Sequence, residues 1–134
     1  MAAYMTPPAK EVEYGSMGFA AGSGGVTEYT FVVMDAEAGT ATESTSGALN
    51  VGIVQETAAE GAQCTVKFLG ISLLSCSAAS NAITTGAGLD PTTGGIGIIA
   101  AADTNILNAV ALEPLASGTG HILVRMGGVC YLAG

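Results

Sequence analysis

Residues 63–69, QCTVKFL, alternate without a break: Cys64, Val66 and Phe68 fall on one face of an extended chain, Gln63, Thr65 and Lys67 on the other. A period of two over β-branched and aromatic residues marks a half-buried strand. Gly70 interrupts the run and ISLLSC (71–76) resumes it, so this stretch predicts two consecutive strands. Toward the N-terminus, VTEYTFVVM (26–34) and ALNVGIVQE (48–56) read the same way, separated by a polar loop at 35–47. Gly52 inside the second of these marks a bulge or a close backbone approach. Toward the C-terminus, 79–95 carries turn chemistry in Asn81, Gly86, Gly88, Asp90-Pro91 and Gly94-Gly95. Apolar runs at 96–102 and 109–115 predict two more strands, with one helical turn over 103–109 capped by Asp103 or Thr104. HILVRM (121–126) alternates again, with Ile122, Val124 and Met126 inward and His121 and Arg125 outward, and GVCYL (128–132) predicts a last short strand. Seven or eight short strands with a turn every 8–12 residues predict an all-β fold, a small sandwich or barrel.

Residues 1–25 follow no period. Pro7-Pro8 favours extended backbone, and Gly22, Gly24 and Gly25 predict a flexible joint. Yet Tyr4, Met5, Tyr14, Met17 and Phe19 are large and apolar, which a plain disordered tail usually lacks. The division expected is an extended N-terminal arm, 1–25, and a β domain, 26–134. The arm would order against a neighbouring subunit or a lattice through Tyr4, Met5, Pro7, Pro8, Tyr14, Met17 and Phe19. Its deletion would leave the fold intact.

Charge narrows the function. The 134 residues are 49% apolar and only 10% charged, with a formal net charge of −8 from eleven acids and three bases, Lys10, Lys67 and Arg125. Typical domains are about 25% charged, so the surface is one of small, weakly solvated side chains suited to being covered. Phosphate contacts need clustered Lys and Arg, so nucleic acid is excluded as a partner, and an anionic membrane surface with it. The region 96–116 is broken by Asp103, Asn105, Asn108 and Glu113 and is too polar for a bilayer span. No signal-peptide pattern is visible in 1–25, which predicts synthesis in a cytoplasm without secretion.

Catalytic constellations are missing from the sequence. His121 is the one histidine, on the polar face of a strand, and its nearest acid in sequence is Glu113. The pairs Glu11/Glu13 and Asp35/Glu37 read as solvated charges. The Gly22-Ser23-Gly24-Gly25 run lacks the Lys and helix of a phosphate loop, and no acidic loop has EF-hand spacing. Cys64, Cys76 and Cys130 form an odd set with no CxxC pair, which predicts neither a disulfide framework nor a zinc site. Cys64 and Cys76 are expected as buried small hydrophobes, while nothing near Cys130 would activate it. The reading is a non-enzyme with no catalytic, cofactor-binding or metal-binding residues.

The strand carrying Val51, Gly52 and Ile53, a short acidic turn, and the strand carrying Thr65, Phe68 and Gly70 together resemble the central part of tailed-phage head decoration (capsid cement) proteins. Ile96-Gly97-Ile98, then 109–113 and 118–126, resemble that family's closing section, with an insertion at 99–108 as a departure. The resemblance covers residues 26–126. It implies a small β-rich fold, homotrimers at three-fold or quasi-three-fold positions on the outer capsid surface of the virion, an arm gripping the lattice, the major capsid protein as partner, and neither catalysis nor cofactor. Trimer contacts would bury apolar faces of 48–56 and 96–115. The alternative is a receptor- or glycan-binding module of a virion tail or fibre. That role favours aromatics in loops, and three of the seven aromatics here stand in the arm.

Overall fold

The computed structural model describes residues 15–35, 37–46, 51–100 and 108–127. Ten strands run through them: β1 (Ser16–Ala21), β2 (Phe31–Asp35), β3 (Thr40–Glu43), β4 (Val51–Val54), β5 (Gln63–Lys67), β6 (Gly70–Ser77), β7 (Gly88–Pro91), β8 (Gly97–Ile99), β9 (Ala109–Ala111) and β10 (Thr119–Met126), with a short 3-10 turn at Thr93–Gly95. The all-β expectation holds, as two small closed barrels in succession rather than one. The first closes in the order β1-β3-β2-β4-β5 and the second in the order β9-β10-β6-β8-β7. Closure pairs every strand on both sides and removes the open edges on which stray chains can add.

The anchor stretch folds as its alternation dictates. Cys64 and Val66 of β5 are buried and Gln63 is exposed. After a two-residue turn, β6 pairs with β10 over its whole length, from Gly70↔Met126 to Ser77↔Thr119. In β10, Ile122, Val124 and Met126 point inward and His121 and Arg125 outward.

Strands β2 and β4 lie between the two cores. Val32 and Val54 join Phe19, Ala41, Cys64 and Val66 inside the first barrel. Their neighbours Phe31 and Ile53, opposite one another in register, join Leu74, Cys76, Leu89 and Val124 in the core of the second. Alternate residues of one strand therefore serve two barrels. Backbone bonds tie the joint: Ser75 N–H donates to Tyr29 O at 2.6 Å, and Gly95 N–H donates to Ser44 O at 3.1 Å. Gly95 holds φ 72°, and a Cβ there would run into the carbonyl of Phe31, so only glycine brings this turn onto β2. Gly52 is the close approach expected of it, since a Cβ there would meet the Val66 side chain and come 3.0 Å from Lys67 O.

Three strands fall where the sequence reads as arm or loop. β1 lies inside 1–25 and pairs with β5 from Ser16↔Lys67 to Ala20↔Gln63. The body thus reaches back to residue 16. Phe19 is buried and Met17 packs against the first core, so neither belongs to a free arm, and Gly22–Gly25 closes as a turn (Gly25 N–H to Gly22 O, 2.9 Å) rather than a joint. The other arm residues, Tyr4, Met5, Pro7, Pro8 and Tyr14, lie outside the described residues, as do most of 103–109 and all of 128–132. β3 and β7 stand in what read as loops. β3 forms because the Asp35 carboxylate accepts from Glu37 N–H (3.1 Å) and Ala38 N–H (3.0 Å), folding a hairpin that Gly39 completes.

Candidate functional site

The sites read from sequence are quickly placed. His121 stands exposed on β10, its ring edge-on to Tyr29 with centroids 5.5 Å apart. Cys64 and Cys76 are buried, as expected. Burial, and secondarily the Glu56 carboxylate, pushes the Cys64 thiol up, and burial pushes Cys76 up to about 12. Both thiols are therefore protonated and inert as nucleophiles at neutral pH. Among the described residues no three His, Cys, Asp or Glu side chains come together as metal ligands, and no buried side-chain nitrogen or oxygen lacks a hydrogen-bond partner.

Within the stretch 48–56 expected at a trimer contact, Gly52, Ile53 and Val54 are buried in the chain's own cores. The unpartnered apolar surface lies elsewhere, on the outside of the second barrel. Three adjacent strands build it. Outward residues Ile71 and Leu73 of β6 lie opposite Arg125 and Leu123 of β10. On the far side of β10, Val110 of β9 lies opposite Arg125, and Leu112 N–H bonds to Leu123 O at 2.8 Å. Leu69 extends the patch at the β5–β6 turn. Ile71 is 54% exposed, Leu69 49%, Leu112 38% and Leu123 37%. Together they present an aliphatic patch on the order of 300 Å², a size at which the largest patch of a monomer is often functional.

The two described cations stand at one end of this patch. Arg125 is opposite Ile71, and Lys67 donates from Nζ to Ile71 O at 2.9 Å. At the other end Glu113 accepts from Leu123 N–H at 3.3 Å. The alternation of 121–126 showed which way β10 faces. What it left hidden was that Leu123 would share its outer face with Leu112 and Ile71, since that depends on strand order.

A separate cleft of about 660 Å³ lies at the opposite end of β6 and β10; its lining is more apolar than polar and includes Ile96 and Cys76 beside Ser75, Thr92, Thr119 and His121.

The described residues thus form a charge-poor double barrel with closed sheets and an aliphatic outer face. The chain belongs to the phage cement protein family, whose model matches residues 12–126. That family is one of structural proteins rather than enzymes. The chain is also similar in fold to the crystal structure of the head fiber gp8.5 N base in bacteriophage phi29, with TM-score 0.55 at 12% identity, over 86% of this chain and 95% of that one. No curated protein matches it.

Proposed function

We propose that this protein decorates the outside of a phage head, binding the major capsid protein as a homotrimer and stabilising the shell. What carries the reading is the aliphatic outer face of the second barrel, in a chain whose family is that of phage cement. A ligand that binds only the assembled shell stabilises it by mass action, and a surface of Leu, Ile and Val supplies the non-directional part of such binding. Closed barrels offer no strand edge to a neighbour, so contacts between copies run through side-chain faces and through the segment before β1. Tyr4, Met5, Pro7, Pro8 and Tyr14 stay the proposed contact residues there. The low number of cations suits a position outside the shell, away from the packaged nucleic acid.

The test is to mix purified protein with expanded, undecorated heads and to count bound copies by electron microscopy. Stoichiometric density at three-fold or quasi-three-fold positions supports the proposal; heads that stay bare overturn it. The cleft beside His121, with Ser and Thr side chains in its lining, favours one second reading, a receptor- or glycan-binding module of a virion tail or fibre. Saturable binding on a glycan array together with bare heads would select it.

A further inference from the structure

Chain entry and chain exit meet at one residue. Gly15, where the described chain begins, packs on Leu69 so closely that a Cβ there would lie 2.5 Å from Leu69 Cβ, and its carbonyl accepts from Phe68 N–H at 2.8 Å. Gly127, where it ends, packs on the Leu69 side chain as well. Leu69 is half exposed and opens the aliphatic face. Residues 1–14 are thus tethered at the rim of that face, at its cationic end.

The segment so tethered is complementary to the face. Glu13 and Glu11 lie two and four residues before Gly15, so covalent reach alone keeps them within about 7 and 14 Å of it. Ser16 is in register with Lys67, and Arg125 stands opposite Ile71, so both cations lie near the point from which the two acids extend. Lys10 comes next along the chain, and Glu113 stands at the far end of the face. The charges of the segment therefore follow the same order as their opposites on the barrel. Val12, Tyr14, Met5 and Tyr4 supply apolar surface among them. The seven residues after Gly127 carry no charged side chain, which leaves the N-terminal segment as the match.

We infer that in the free subunit the aliphatic face is occupied by the chain's own N-terminal segment, with Glu11 and Glu13 meeting Lys67 and Arg125 and the apolar residues lying over Leu69, Ile71 and Leu123. A tether this short gives an effective concentration in the millimolar range, so weak contacts suffice. The occupancy requires no second copy and no shell, and it stands whether or not the protein binds heads.

Trypsin cleavage of the full chain after Lys10 reads it directly, because cleavage follows the population of the open form. Ile71→Asp places a carboxylate where the acidic segment must lie, on an outward position. Glu13→Gln removes a charge from the segment, leaves the scissile Lys10-Glu11 pair unchanged and lies before the described body. Both variants are expected to be cut at Lys10 roughly tenfold faster than the wild type, with unchanged far-UV circular dichroism, and the wild-type rate is expected to be independent of protein concentration. Equal rates in all three proteins overturn the inference. Protection that grows with concentration overturns it in favour of the segment of a second copy. A rate that rises on removal of 128–134 alone overturns it in favour of the C-terminal segment.

Discussion

Phe31→Ala tests whether the two barrels are one cooperative body. Phe31 belongs by pairing to the first barrel and by contact to the core of the second, with 0% exposure. Truncating a fully buried Phe costs about 3–5 kcal/mol, a large part of the 5–15 kcal/mol that holds a typical domain together. With a urea dependence near 2 kcal/mol per molar, a loss of about 4 kcal/mol moves the unfolding midpoint down by about 2 M. The protein carries its own local reporters, since Cys64 is buried in the first barrel and Cys76 in the second. In a Cys130→Ser background, pulsed thiol labelling across a urea series, read at each cysteine by peptide mass spectrometry, follows the barrels separately. The shared core requires that the Cys64 and Cys76 curves coincide in the parent and shift together by about 2 M in Phe31→Ala. Curves that separate in the parent, or a shift at one cysteine only, would refute the claim that β2 and β4 fuse the barrels.

Gly95→Ala forces a Cβ into the Phe31 backbone from a left-handed conformation, and such strain costs about 1–3 kcal/mol before any clash is counted; the melting temperature should fall, and an unchanged melt would deny the joint. Removing residues 2–14 should leave cooperative thermal unfolding intact, whereas removing 2–21 takes β1 from between β3 and β5 and should abolish it, as circular dichroism melts will report. Burial raises the Cys76 thiol from 9.0 to about 12 in the folded state. The folded protein therefore holds its proton longer than the unfolded chain, so this contribution to stability is complete below about pH 9 and is lost as pH climbs toward 12. Urea midpoints between pH 8 and 11 should fall less steeply in Cys76→Ala, and parallel slopes would contradict the assignment. Leu123→Asp lies on an outward position, where substitution usually changes stability by about 0.5 kcal/mol or less; it should lower the number of copies bound per head while leaving the melt unchanged.

The sequence reveals a strand where a run is long enough to show its period and its side chains favour extended backbone. QCTVKFL and HILVRM meet both conditions, and their inward and outward residues match those of β5 and β10. β1 meets neither well: SMGFAA has a glycine and two alanines, of weak strand propensity, and its place is set by pairing with a partner more than forty residues away. β3 (TATE) and β7 (GLDP) are four residues each, too short for a period, and the turn residues around them dominate the reading. The binary pattern also fails at β2 and β4. Phe31, Val32, Ile53 and Val54 are all fully buried, and such unbroken apolar runs say that both faces are covered without saying by what. The aliphatic face has the same limit. Leu69, Ile71, Leu112 and Leu123 come from three separate stretches of chain, and only the order β9-β10-β6 makes them neighbours.

Those doubly buried strands explain how so small a chain can keep an aliphatic face outside. Each barrel alone has roughly half the chain, close to the size at which a single core is marginal, since a 60-residue domain buries only about 60% of its unfolded surface. Fusing the barrels through β2 and β4 lets one pair of strands fill two cores. Phe31 and Ile53 then complete a second core in which two of the walls, β8 and β9, are only three residues long. The inward positions of β6 and β10 are committed to that core through Leu74, Cys76, Ile122 and Val124. Their outward positions lie outside both cores, and in a chain with three cations and 20 glycines they nevertheless carry Ile71, Leu73 and Leu123. Outward side chains kept apolar across adjacent strands, with the two described cations at one end, are what the proposed contact surface needs.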